Sequence, residues 1–218
     1  MLLACAVAAQ EKPGDVLGFP LEATTERTAA LLTAIDPDAE YAGDPTEAVL
    51  PYAGRGLIGR QQWNSIIRGV ENHLWLYGMA EFGYAIDDDV PAILNRATAD
   101  RCEVRVLLLS PSYPGLAAID ADEGNPPGTL HTRIQAALAR FAAIQAEVGP
   151  SMLIRTYDTR PTASVVRGDD RMLVTPYLRF TIGSNSPTFE LTEASARKMF
   201  GRYVRHLETM WPLAKDWT

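Results

Sequence analysis

Glu103-Val104-Arg105-Val106-Leu107-Leu108-Leu109-Ser110 is a short apolar run, too brief for a core helix, and Pro111 and Pro114 close it. A run of this length and composition predicts a strand covered on both faces. The segments on either side change period. Upstream, residues 88–101 form a helical stretch with Asp87, Asp88 and Asp89 at its positive end. Before it, residues 73–80 (HLWLYGMA) make a second strand. Residues 59–72 place Trp63, Ile66, Ile67 and Val70 on one helical face. Downstream, residues 128–148 carry Leu130, Ile134, Leu138, Phe141, Ile144 and Val148 along one stripe, and residues 152–158 (MLIRTYD) form a third strand. Strands alternating with helices predict a parallel sheet core.

Beyond residue 158 the pattern changes to strand after strand. Residues 163–166 and 171–178 flank a turn at Arg167-Gly168-Asp169-Asp170, and residues 186–192 supply a further strand. A closing helix over residues 193–213 is expected to bury Ala196, Met199, Phe200, Tyr203, Leu207, Met210 and Trp211. The order from residue 59 is therefore α-β-α-β-α-β-β-β-β-α, without an internal repeat. Toward the N-terminus, residues 2–10 and 24–35 read as helices and residues 36–51, rich in Asp, Pro, Gly and Glu, as a linker. The expected division is a helical segment and linker at 1–55 and an α/β domain at 56–218.

Apolar residues make up 47% of the 218, ample for a core of that size. The net charge of −7 argues against the whole chain coating DNA or an anionic membrane. Cys5 and Cys102 lie too far apart in sequence to suggest a metal site or a disulfide framework, which fits a reducing cytoplasm. No apolar run approaches a membrane span. Met1-Leu2-Leu3-Ala4-Cys5 imitates a lipoprotein box, but no basic residue precedes Leu2, so a cytoplasmic chain is expected.

Several ordered phrases carry a resemblance. Ile66-Ile67 through Trp75-Leu76-Tyr77-Gly78, the 104–109 strand, Glu123-Gly124-Asn125-Pro126-Pro127-Gly128, Ile154-Arg155-Thr156-Tyr157-Asp158, Pro176-Tyr177-Leu178 and Ser186-Pro187-Thr188 are similar to a bacterial family of phospholipase D-like domains. The resemblance spans about residues 56 to 215. It implies one half of a phospholipase D fold, a mixed β-sheet flanked by helices, here with a short helical N-terminal appendage. Such domains commonly follow an Xre-type helix-turn-helix. Lys12-Pro13-Gly14-Asp15-Val16-Leu17-Gly18 resembles the tail of such a domain, whose recognition helix is then expected upstream.

A working phospholipase D site needs His-x-Lys and an Asp five residues after the Lys: nucleophile, phosphoryl clamp and orienting carboxylate. Matching that Asp to Asp169 puts Thr162 at the His position and Ser164 at the Lys position. A shift of one gives Ala163 and Val165. Neither register supplies the nucleophile or the cation. His73, His131 and His206 lie on a strand start, a helix start and the closing helix. Gly183-Ser184-Asn185 imitates the family's Gly-Ser-x-Asn but falls too late, and reads as a turn. Three consecutive aspartates at a helix start point in different directions, so no metal is implied. No cofactor is expected.

If the pocket outlives its catalyst, strand ends should line it. That rule singles out Glu81, then Ser110 and Ser112, then Tyr157, Asp158 and Arg160. Thr162, Ser164, Tyr177, Ser186 and Thr188 complete the set. Turn caps and core filling are the plainer roles for each. The Glu123-Gly124-Asn125-Pro126-Pro127-Gly128 loop reads as a lid or as a stiff helix cap. The function expected is a non-catalytic regulatory or ligand-sensing domain of an Xre-like transcriptional regulator. Its ligand would be a small molecule or nucleotide-like compound, and it would reach DNA only through a helix-turn-helix. The rivals are a diverged hydrolase using Asp158, Tyr157 or Glu81, and a protein-interaction module. A homodimer is expected, because half of a two-part fold should leave apolar surface exposed, with the closing helix its main source.

Overall fold

The computed structural model describes residues 47–217. In chain order it contains β1 (Leu50–Tyr52), α1 (Arg60–Ile67), β2 (His73–Gly78), α2 (Phe82–Ala85), α3 (Val90–Ala99), β3 (Glu103–Leu109) and α4 (Leu116–Asp122). There follow α5 (Thr129–Val148), β4 (Met152–Tyr157), β5 (Ala163–Gly168), β6 (Arg171–Pro176), β7 (Thr188–Thr192), α6 (Arg197–Met210) and β8 (Lys215–Asp216). Short 3-10 turns lie at Arg55–Leu57, Gly183–Asn185 and Trp211–Leu213. The helices expected over residues 2–10 and 24–35, and the helix-turn-helix tail, lie outside the described residues.

All eight strands join one sheet in the order β1-β7-β6-β5-β2-β3-β4-β8. Only β2, β3 and β4 run parallel, joined by crossovers through α3 and α5. They are the apolar runs read from sequence, and Leu74, Leu76, Val104, Val106, Leu107 and Leu108 have no exposed surface. Every other pairing is antiparallel. This is a mixed α/β fold with one sheet flanked by helices, the arrangement the resemblance implied.

Alternation along each strand assigns the faces. Trp75 and Tyr77 point toward α6 and the 3-10 turn that follows it, where the rings of Trp211 and His206 meet them edge-on at 5.3 and 5.5 Å. Arg167 lies on the same face, over the ring of Phe200. The opposite face carries α1. There Gly168 is required, because a Cβ would run into the carbonyl oxygen of Ile66. Trp63 of α1 meets Tyr84 of α2 edge-on, and α2 and α3 both pack on α5, so these four helices form one layer.

The differences from the sequence reading have local causes. Residues 50–52 were assigned to a linker, but they pair with β7 as an edge strand, so the sheet begins upstream of position 56. A three-residue strand containing Pro51 has no periodicity to detect, and its pairing is long-range. The first helix stops at Ile67, just before Gly69 turns left-handed at φ 77. The closing helix starts at Arg197 because Thr192 and Ser195 close a hydroxyl-bonded turn first, with Ser195 N–H donating to Thr192 Oγ1 at 3.0 Å. Its apolar stripe packs on its own sheet: Phe200, Leu207 and Trp211 are buried, and Met199, Tyr203 and Met210 are partly buried against the core. Met199, Tyr203 and Met210 thus keep part of their surface exposed.

Candidate ligand-binding site

The chain leaves β2 at Gly78 and reverses at Glu81, which adopts φ 43 and ψ 36. Left-handed backbone at a buried glutamate is uncommon and carries strain, held here by what the side chain binds. The carboxylate is fully shielded from solvent. Its Oε1 accepts the Ser164 hydroxyl at 2.7 Å and its Oε2 accepts the Arg55 guanidinium at 2.9 Å. Gly78 allows this approach. A Cβ there would collide with the Glu81 carboxylate and sit 2.9 Å from the Tyr177 hydroxyl.

Arg55 comes from the 3-10 turn after β1. Its backbone N–H donates to the Ser186 carbonyl at 2.9 Å, and its guanidinium lies 4.9 Å over the Trp63 ring. Burial pulls the guanidinium's pKa down, but the Glu81 carboxylate more than offsets this, so Arg55 stays charged. Tyr177 closes the floor. Its hydroxyl accepts the Met79 N–H at 3.1 Å, and its own N–H donates to the Thr162 carbonyl at 2.9 Å. Burial first, then the charge of Glu81, pushes the phenols of Tyr177 and Tyr84 up, so both stay protonated.

Strand register gathers a row of hydroxyls behind this floor. Ser164 pairs with Thr175, and Thr175 shares a hydrogen bond of 2.8 Å with Thr188. All three are buried, as is Ser186, whose hydroxyl has no hydrogen-bond partner among the described residues.

In front of the floor opens a cavity of about 440 Å³. Arg55, Ile58, Trp63, Glu123, Leu130 and Arg133 line it. Met79, Glu81, Phe82 and Tyr177 line it too, as do Ile182, Gly183 and Ser184 of the loop joining β6 to β7. Burial raises the Glu123 carboxyl above its usual range, opposed by the Asn125 amide at 2.9 Å, the charge of Arg133 and the Gly183 N–H. Beside the cavity, Asp122 accepts Arg160 at 2.8 Å and Arg179 at 3.3 Å. Those two bonds, Arg160 first, hold its carboxyl below the usual range.

Of the residues singled out from sequence, the fold brings together Glu81, Ser164 and Tyr177, with Thr162 and Ser186 joined through backbone carbonyls. Thr188 sits in the hydroxyl row. The others serve elsewhere. Ser110 and Ser112 bond to each other at 2.7 Å in the turn after β3. Tyr157 donates to the Gly78 carbonyl at 3.1 Å and packs against Tyr77. Asp158 pairs with Lys215 at the C-terminal edge, and Arg160 with Asp122. Sequence reading missed Arg55, Trp63 and Arg133. Arg55 borders the stretch taken for a linker, Trp63 reads as core, and Arg133 as an exposed helix position.

The loop at 123–128 contributes Glu123 to the cavity, while the capping work belongs to Asp120. Its carboxylate accepts the N–H groups of Gly128 at 2.8 Å and Leu130 at 2.9 Å at the start of α5.

The position matched to the phospholipase D aspartate has a different job. Asp169 follows β5 at the far end of the sheet, roughly 16 Å from Ser164 at about 3.3 Å per residue. Its carboxylate accepts the backbone N–H groups of Glu71, Asn72 and His73 at 2.8, 3.0 and 2.9 Å. None of the three histidines lines the cavity. His131 Nδ1 meets the Pro111 carbonyl at 3.0 Å, His206 faces Tyr77, and His73 is exposed. Among the described residues no cluster of histidine, cysteine and carboxylate side chains is arranged to hold a metal, and no helix is long and apolar enough to cross a membrane.

No family model matches the chain, and no curated protein matches it. Among solved structures it is similar to TrmBL2, an archaeal chromatin protein whose structure shows a novel mode of DNA binding, at 12% identity and a TM-score of 0.49. That match covers 90% of this chain, which spans 64% of the length of TrmBL2. It is also similar to Nuc, a phospholipase D family member from Salmonella typhimurium, at 14% identity and a TM-score of 0.44, covering 78% of this chain and 97% of that one.

Proposed function

We propose that this chain is a non-catalytic ligand-binding module, acting as the sensing domain of a transcriptional regulator that reaches DNA through an Xre-type helix-turn-helix. One observation carries the ligand-binding part. Thr162 and Ser164 occupy the positions at which the resemblance places a nucleophile and a cation, and Ser164 is committed to a buried Glu81–Arg55 pair beneath an open cavity. Ser164 is 1% exposed and forms no part of the cavity wall, so its hydroxyl does not meet a substrate bound there. The cavity is sized for a small molecule and mixes apolar, aromatic and charged groups, as ligand sites do. The regulatory part rests on the phrase at residues 12–18.

Two measurements test the reading. Purified protein should hydrolyse bis(p-nitrophenyl) phosphate and DNA no faster than a buffer blank, with or without chelator. A panel of small molecules should contain compounds that raise its melting temperature, and that rise should shrink in Trp63→Ala. The hydrogen bond from Ser164 to Glu81 favours a second reading, a diverged hydrolase with a serine and a carboxylate base. Turnover that disappears in Ser164→Ala would establish it.

A further inference from the structure

Two opposite charges face the cavity without bridging each other. Arg133, one turn into α5, is exposed and makes no hydrogen bond or ion pair among the described residues; its interaction is electrostatic attraction to Glu123 across the opening. Glu123 takes the Asn125 amide on Oε2 and interacts with the Gly183 N–H, and a carboxylate's two oxygens still leave acceptor capacity toward the cavity. The second pair in the cavity is closed, because Arg55 and Glu81 neutralise each other at 2.9 Å. Among the described residues a ligand therefore meets one available cation and one available anion, in a cavity that Leu130, Trp63 and Ile58 also line.

This charge balance selects among ligand classes. A phosphate dianion would find the two arginines offset by two carboxylates and would be repelled by Glu123. A neutral sugar would leave both open charges unanswered. A zwitterion answers each with its opposite and buries no net charge, and a guanidinium suits a carboxylate through parallel N–H donors. We propose that the cavity binds a zwitterionic amine–carboxylate of amino-acid or dipeptide size, its carboxylate on Arg133, its ammonium on Glu123 and its apolar group against Trp63. This deepens the ligand-binding reading above and rests on it.

Isothermal titration of the full chain with L-tryptophan, L-leucine and glycyl-L-leucine tests the proposal, with N-acetyl-L-tryptophan, L-tryptophanamide, AMP and glucose alongside. At least one zwitterion should bind, and blocking either end should weaken it tenfold or more. In Arg133→Ala, tryptophanamide should bind no worse than tryptophan. In Glu123→Gln, the N-acetyl compound should bind no worse than the free amine. Both side chains line the cavity, and an unchanged melting temperature confirms that each variant folds. Blocked compounds that bind as well as the zwitterions overturn the proposal, as does binding of AMP or glucose without the zwitterions, and both results leave the ligand-binding reading standing. Failure of every compound to bind rejects the two together.

Discussion

Removing Arg55 leaves a carboxylate with nowhere to go. In Arg55→Met the aliphatic stem is kept, but the fully buried Glu81 carboxyl loses its counter-ion. Stranding one member of a buried pair costs about 3–5 kcal/mol. The Ser164 hydroxyl still donates to Glu81 Oε1 at 2.7 Å, and the Arg55 side chain is 23% exposed, so the low end applies, about 3 kcal/mol. In a body of this size each kcal/mol shifts the melting temperature by about 2–4 °C, which gives a fall of about 6–12 °C. Glu81→Gln preserves the shape and the bond to Ser164 while stranding the guanidinium, which solvent partly relieves, so about 2 kcal/mol is expected. The double variant strands no charge and should cost about 1–2 kcal/mol rather than the sum of about 5. The coupling of about 3–4 kcal/mol should appear in urea denaturation followed by fluorescence and circular dichroism, with the two transitions coinciding. Additive losses, with a coupling below about 0.5 kcal/mol, would refute the claim that the pair acts as a buried unit.

Gly78→Ala should displace Glu81, lower stability by about 1–3 kcal/mol and abolish ligand-induced stabilisation, and an unchanged melting curve would contradict the packing described. Trp211→Ala should cost about 3–5 kcal/mol and strip hydrogen-exchange protection from β8, because the indole stacks on Arg155 at 4.5 Å and Arg155 holds Asp216 at 2.7 Å. Burial raises the Asp169 carboxyl, but three backbone N–H bonds outweigh it and lower its pKa below 3.8. Its stabilisation is therefore complete above the unfolded value and lost as pH falls through the folded one, and Asp169→Asn should flatten that acid limb. Burial lowers the His206 imidazole below 6.5, so its contribution is complete above the unfolded pKa and declines as pH falls from there to the folded value. His206→Gln should remove that slope, and a slope that persists assigns it to another group.

Much of this molecule is written locally. The apolar runs at 73–80 and 103–110, the helical stripe at 128–148 and the hairpin around Asp169 each specify their element through periodicity or turn chemistry, and a parallel core followed by antiparallel strands follows from their order. Sequence also shows that no histidine or lysine stands where the resemblance needs one, since absence of a residue type depends on no geometry. What it could not show is which side chains converge. Glu81 and Tyr177 stand out as strand-end polar residues, but so do Asp158 and Arg160, which pair with Lys215 and Asp122 instead. Only strand register places Ser164 opposite Thr175 and beneath Glu81. Only the long-range pairing of β1 with β7 carries Arg55 to that carboxylate, 26 residues away in sequence. A buried charge is tolerable only where its partner arrives from elsewhere in the chain, so the identity of the partner is a property of the packed structure, and no local pattern encodes it.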